Sequence, residues 1–99
     1  MLNINKTVSG NKAVFALEGR LDTITSTDLD DAINAVADAI DELVFDFGNL
    51  DYISSAGLRV ILTAQKLFSK KGGMKITNVN EMVMDLFKVT GFSDILTIE

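Results

Sequence analysis

The segment DYISSAGLRVIL, residues 51–62, joins an apolar run to an amphipathic one, and two adjacent serines, Ser54 and Ser55, stand at the junction. Gly57 follows them, in what would be the first turn of a helix. Strands that lead directly into helices are the building units of α/β folds. The segment therefore predicts a strand-to-helix junction that exposes hydroxyl groups at one end of a sheet.

Apolar patterns on both sides of this junction predict a buried strand and an amphipathic helix. Residues 42–50, ELVFDFGNL, are nearly continuous apolar sequence, which is typical of a central strand. Residues 56–71 carry apolar side chains at helical spacing, and Gly72 and Gly73 then end the pattern. The apolar stripe of this helix consists of Leu58, Ile61, Leu62, Gln65 and Phe68.

The N-terminal part of the chain predicts a hairpin followed by a first helix. Two short strand-like stretches, residues 2–8 and 13–17, flank a Ser-Gly-Asn turn. Thr25 and Asp28 have the spacing of a capping box and would open a helix over residues 26–40. The buried stripe of that helix would be Leu29, Ile33, Val36 and Ile40.

The C-terminal part predicts a further strand, helix and strand. Residues 74–79 form a short strand pattern, Asn80 is a good N-cap for a helix over 81–90, and Gly91 would end it before a last strand at 94–98. This alternation after an initial hairpin predicts an α/β fold with a mixed sheet. Three methionines are expected to fill the core: Met74, Met82 and Met84.

Composition narrows the classes of function. The chain has 99 residues and a net charge of −5, and its nine lysines and arginines do not gather into one run, so nucleic-acid binding is not expected. No apolar stretch reaches about 18 residues and the N-terminus lacks a signal-peptide layout, which predicts no membrane span and a cytoplasmic protein. The absence of cysteine and histidine removes thiolate metal sites and the commonest general base.

The paired serines allow three interpretations. Either serine could simply cap the helix, because a serine hydroxyl satisfies a free backbone N–H at a helix start. A catalytic serine would need a base and an oxyanion hole, and neither a histidine nor a G-x-S-x-G or S-x-x-K motif is present. A phosphate is compatible with a helix N-terminus, and on Ser55 it would add about −1.5 to −2 units of charge to the surface.

Three segments resemble the STAS domain family, and more narrowly its bacterial anti-sigma factor antagonists. They are EGRLDT at residues 18–23, LDYISSAGLRVIL at 50–62 and MDLFKVTGFSDIL at 84–96, so the likeness covers essentially the whole chain. The resemblance implies a single STAS-like domain over residues 1–99. Its α/β fold would hold a mixed sheet of about five strands, with three or four helices packed mainly on one face.

The motif of the family is an apolar residue followed by Asp, Ser, a small residue, Gly and Leu, where a strand ends and a helix begins. On this chain Ser55 takes the place of the phosphorylated serine, and Ala56, Gly57 and Leu58 complete the motif. Ser54 stands where the family has aspartate. The resemblance therefore implies phosphorylation on Ser55, with Ser54 as the alternative acceptor.

The resemblance implies partner switching and no catalysis by this chain. In its unmodified form, the protein would bind an anti-sigma factor that is also an ATP-using serine kinase, and the sigma factor would be freed. Phosphorylation by that kinase would end the complex, and a PP2C-type, metal-dependent phosphatase would restore it. A protein of this kind is not an enzyme and needs no cofactor or metal of its own.

Other residues are assigned to the partner-binding surface by the same resemblance. Asp22 and Thr23 match a family loop near the phosphoacceptor, although they could simply form a turn before the first helix. Arg59 could reach a phosphate on Ser55 or a partner carboxylate, although a solvated arginine is the simpler interpretation. The whole set is Asp22, Thr23, Ser54, Ser55, Ala56, Gly57, Leu58 and Arg59.

Two other functions stay open for this fold. STAS domains also occur with membrane transport systems, so the chain could be a separate accessory subunit of a transport complex. It could instead sense a small ligand, which a binding screen would reveal. Genes for a kinase and a phosphatase beside this one would favour partner switching, whereas a permease and an ATPase would favour transport.

Overall fold

The computed structural model describes residues 2–99 and has a four-stranded sheet, three α-helices and one short 3-10 helix. This architecture confirms the α/β fold with a mixed sheet. In chain order the elements are β1 (Leu2–Ser9), β2 (Lys12–Leu21), α1 (Thr25–Val36), β3 (Glu42–Ile53), α2 (Ser55–Phe68), β4 (Gly73–Thr77), α3 (Glu81–Thr90) and the 3-10 helix (Phe92–Asp94).

The strands lie side by side in the order β1-β2-β3-β4. β1 and β2 form the antiparallel hairpin, while β2 with β3 and β3 with β4 run parallel. Parallel neighbours need a crossover, and α1 and α2 supply the two crossovers. The carboxyl ends of β2 and β3 consequently meet at one edge of the sheet, where Leu21 pairs with Ile53.

One hydrophobic cluster holds the helices to the sheet. Phe45 of β3 lies at its centre, with its ring centroid 6.0 Å from that of Phe15 and 5.7 Å from that of Phe47. The Phe47 ring in turn lies 6.3 Å from that of Phe87 on α3. This row of buried aromatic rings fixes α3 against β3.

The start of α1 differs from the sequence prediction. The predicted capping box of Thr25 and Asp28 is wrong: the residue before the helix, Ile24, has helical backbone angles and makes no side-chain cap bond. β2 also continues through Leu21, with register shifts against β3 after Ala16 and Gly19. The extended strand leaves only three residues before α1, and the Asp22 carboxylate accepts amide hydrogen bonds at the helix start instead.

The predicted fifth strand at 94–98 is reduced to a single bridge, in which Ile98 pairs with Ile76 of β4. After the left-handed Gly91, the chain turns through the 3-10 helix, where the Ile95 and Leu96 amides both donate to the Phe92 carbonyl. This turn consumes the residues that a longer strand would need.

Candidate functional site

The carboxyl edge of β2 and β3 brings together the two loops that the sequence singled out. The Ser54 amide donates to the Leu21 carbonyl at 2.8 Å, so the β3–α2 junction and the β2–α1 loop lie side by side. Asp22 and Thr23 follow Leu21 directly, with Asp22 half-buried and Thr23 exposed. The sequence prediction that this loop neighbours the paired serines fits this arrangement.

Ser54 is the N-cap of α2. Its backbone is extended, with φ −90° and ψ 172°, and its hydroxyl oxygen accepts the Gly57 amide at 3.2 Å. Only 9% of the residue is exposed. The side chain therefore points into the helix start and satisfies one of its free N–H groups.

Ser55 is the first residue of α2, and it is exposed. Its hydroxyl makes no hydrogen bond to the part of the chain that the structure describes. Free amides and the positive end of the helix dipole surround this position. The two adjacent serines thus occupy opposite environments, one buried and bonded, the other open to solvent.

Gly57 allows α2 to begin close against the strand ends. A Cβ atom at this position would lie 2.7 Å from Leu21 Cγ and 3.1 Å from Ile53 Cγ1. Leu21 is fully buried and cannot move aside easily. The glycine is therefore required by packing, and it sets the distance between the helix start and both strands.

Asp22 organises the neighbouring loop. One of its carboxylate oxygens accepts the Thr25 amide at 2.9 Å and the Ile24 amide at 3.0 Å. The Thr25 hydroxyl closes the turn by donating to the Arg20 carbonyl at 2.8 Å. The Thr25 amide bond is the main cause that lowers the pKa of Asp22 below its usual value. The carboxylate thus stabilises the β2–α1 loop to which Asp22 itself belongs.

The remaining predicted residues divide between the helix interior and its surface. Ala56 is half-buried, Leu58 is buried with 7% exposure, and Arg59 is exposed one turn after Ser55. Because helical residues four apart are neighbours, Arg59 lies within reach of a group attached to Ser55.

The sequence prediction missed a groove beside Ser55. Its volume is about 580 Å³, and one wall comes from the junction while the other comes from α3. Met82, expected in the core, is 56% exposed and lines this groove, so that expectation is wrong, whereas Met74 is buried as expected. One sequence feature could have indicated the groove: α3 carries the apolar residues Met82 and Val89 outside its core stripe.

Two kinds of feature are absent from residues 2–99. No helix in this range is long and apolar enough to cross a bilayer. The same range holds no group of three or more His, Cys, Asp or Glu side chains placed to bind a metal ion.

Comparison with known proteins gives consistent matches. The model of the STAS domain matches residues 3–99. BtrV of Bordetella bronchiseptica, to which the role of an anti-sigma factor antagonist is ascribed, is 32% identical over 87 residues, which cover 86% of this chain and 75% of BtrV. The anti-sigma-B factor antagonist of Bacillus subtilis is 29% identical over 100 residues, which cover 98% of this chain and 92% of that protein.

A solved structure agrees at the level of the fold. The phosphorylated form of SpoIIAA, a cell fate determinant of Bacillus, superposes with a TM-score of 0.76 at 17% identity, over 100% of this chain and 91% of that chain. Fold and site define a small α/β domain that presents a serine at a helix N-terminus. The chain belongs to the STAS domain family. Its relatives support the function of an anti-sigma factor antagonist, a regulatory role.

The close packing at Gly57 predicts that a larger residue there lowers the free energy of unfolding. Gly57→Ala gains up to about 1 kcal/mol in helix propensity, but it forces Leu21 or Ile53 out of place at a cost of about 1–3 kcal/mol. We expect a net loss of stability in urea unfolding. Thr63→Ala, on the exposed side of the same helix, is the control and should stay within about 0.5 kcal/mol of the wild type. A Gly57→Ala protein more stable than the wild type would contradict the close approach.

The lowered pKa of Asp22 predicts that its contribution to folding stability depends on pH. Between the lowered pKa and the ordinary one, the unfolded chain binds more protons than the folded one, so the carboxylate stabilises the fold at neutral pH. This contribution is lost as the pH falls through the lowered pKa. Asp22→Asn keeps an acceptor oxygen but cannot titrate. The stability gap between wild type and variant, measured by urea unfolding, should be largest at neutral pH and shrink in acid. A gap independent of pH would contradict the role of the charge.

Proposed function

We propose that this protein is an antagonist switched by phosphorylation of Ser55. The unmodified form binds an anti-sigma factor that is also a serine kinase, and the phosphorylated form releases it. The observation that carries the proposal is the contrast between the two serines: Ser54 is buried in its N-cap bond, whereas Ser55 presents its hydroxyl to solvent at the start of α2.

The position of Ser55 suits a phosphate. Free backbone amides and the helix dipole favour a negative group at a helix N-terminus. Ser55 is exposed, so the added group needs no rearrangement of the core. A protein of the same fold, SpoIIAA, exists in a phosphorylated form, which supports the view that this fold accepts the modification.

The size of the charge change suits a switch. Phosphorylation adds about −1.5 to −2 units of charge to the surface around Ser55. A partner covering that surface must strip water from the phosphate or meet it with like charge, which costs several kcal/mol. A swing from 99:1 bound to 1:99 needs about 5.5 kcal/mol. The two magnitudes are comparable, so one phosphate is enough to end a complex.

The transfer needs no catalytic group from this chain. Ser55 Oγ forms a bond to the γ-phosphorus of ATP in the kinase, ADP leaves, and the hydroxyl proton is released. A PP2C-type phosphatase hydrolyses the phosphoester with water, which returns the hydroxyl and releases inorganic phosphate. Because the exchange depends on ATP, we expect it to occur in the cytoplasm. The chain itself acts as a substrate and a binding module.

The surrounding residues would form the partner-binding surface. Thr23 and the exposed face of the β2–α1 loop lie beside the junction, and Asp22 would act by holding that loop in shape. The distance between the first turn of α2 and the strand ends would be set by Ala56, Gly57 and Leu58. Arg59 would face either a partner carboxylate or, after modification, the Ser55 phosphate.

Mapping the phosphate tests the acceptor. The protein is incubated with its cognate anti-sigma factor kinase and ATP, and the modified residue is located by mass spectrometry. We expect one phosphate on Ser55, none on Ser55→Ala, and normal modification of Ser54→Ala, which loses only an N-cap worth about 1 kcal/mol. A phosphate on Ser54 of the wild-type protein would overturn the assignment.

Binding variants test the switch itself. Ser55→Ala should bind the anti-sigma factor about as tightly as the wild type, because no bonded hydroxyl is lost. Ser55→Asp should bind at least about tenfold more weakly, since a carboxylate at an interface costs more than about 1.4 kcal/mol. Equal affinities of the two variants, measured by calorimetry, would contradict the proposal.

A further inference from the structure

The groove beside Ser55 is a feature of this edge that the switch alone does not use. Its walls are the β3–α2 junction and the outer side of α3. Most of its lining is apolar, and Ser55 lies on its rim. Its lining includes Tyr52, Ser55, Met82, Asp85 and Val89.

Three of the seven exposed large hydrophobic side chains of residues 2–99 line the groove. Val89 is 85% exposed, Met82 is 56% exposed and Tyr52 is 39% exposed, and all three line the groove. Large apolar side chains that cluster at the surface mark sites of association with other molecules. Val89 and Met82 lie outside the core stripe of α3, which consists of the buried Val83 and Phe87. Their exposure therefore contributes nothing to the packing of α3 against the sheet.

We propose that this groove seats an amphipathic helix of the anti-sigma factor, with aliphatic side chains in the groove and a lysine or arginine facing Asp85. The inference rests on the proposed function and extends it by naming the second wall of the interface. The groove is continuous with the surface that the Ser55 phosphate would block, because Ser55 itself lines it. A partner covering Ser55 therefore also covers the exposed part of α3.

The backbone of the groove walls favours a helix as the occupant. The α3 wall is a helix, and its backbone amides and carbonyls are bonded within the helix except at the ends. An extended peptide finds no strand edge along α3, and on β3 the Asn80 side chain already occupies the Leu50 carbonyl. A helix satisfies its own backbone and offers apolar side chains at intervals of three and four residues, which is how helices fill apolar grooves.

The charge of the groove favours a basic partner. Asp85 is the only charged side chain among the described residues that line it. The chain also carries a net charge of −5, so a basic surface would be drawn toward it. A phosphate on Ser55 would stand at the same rim and would have to lose its water as the apolar face of the partner helix approached.

The groove is held open in the unbound protein. Asn80 caps α3 by accepting the Val83 amide at 2.8 Å, and its side-chain amide donates to the Leu50 carbonyl of β3 at 2.8 Å. On the other wall, the Arg20 guanidinium lies 4.3 Å from the centre of the Tyr52 ring. A preformed groove spares the partner the entropy cost of ordering it.

A matched pair of valine substitutions tests the groove. Val89→Lys places a cation among the exposed apolar residues of α3, and Val8→Lys makes the same change on the β1 strand, where Val8 is 48% exposed. Both residues are exposed, so both variants should fold and melt like the wild type. In calorimetric titrations with the cognate anti-sigma factor, Val89→Lys and Met82→Lys should bind at least about tenfold more weakly, and Val8→Lys within about twofold of the wild type.

The outcomes separate this inference from the proposed function. If Val89→Lys and Met82→Lys bind like the wild type while Ser55→Asp does not, the groove is not the docking site and the switch stands. If they lose affinity while Ser55→Asp keeps it, the groove stands and the switch fails. A wild-type protein that does not bind the anti-sigma factor at all overturns both.

Asp85→Asn tests the charge of the groove. This variant should bind the anti-sigma factor more weakly, and its affinity should change less with salt concentration than that of the wild type. An unchanged salt dependence would remove the basic residue from the proposal.

Discussion

The first turn of α2 lies so close to the ends of β2 and β3 that any side chain at residue 57 would displace Leu21 or Ile53. This contact, together with the Ser54 cap, fixes where the helix begins and which way its first side chains point. Ser55 is thereby held outward, at the positive end of the helix. The loop of Asp22 and the groove along α3 take their positions around the same point, because all of them are anchored on the carboxyl edge of the two strands.

The contrast between the two serines explains a departure from the family pattern. Ser54 stands where the family has aspartate, and either side chain can accept an amide hydrogen bond at an N-cap. The structural role is therefore kept. What changes is charge: a serine leaves the neighbourhood of Ser55 without a carboxylate. A phosphate added at Ser55 would then carry the whole change in charge on this side of the junction, and it would meet no fixed anion at residue 54.

The sequence predicted the parts that depend on local patterns. The hairpin, the buried β3, the Asn80 cap and the position of Gly91 follow from periodicity and cap chemistry, and the structure has all of them. The exchange of the Thr25 capping box for the Asp22 turn was not predictable, because it depends on how far β2 continues beside β3. The groove was missed for the same reason, since its walls come from distant segments and its shape depends on how Phe87 packs on Phe47.

The central claim is that a phosphate on Ser55 changes what the surface can bind without disturbing the helix that carries it. Amide hydrogen exchange over residues 55–68, compared between the unmodified and the Ser55-phosphorylated protein, measures the helix, and titration of the same two samples with the anti-sigma factor measures binding. The account predicts unchanged or greater protection, together with an affinity at least about 100-fold lower. Loss of protection across α2, or an affinity that survives the phosphate, would contradict it.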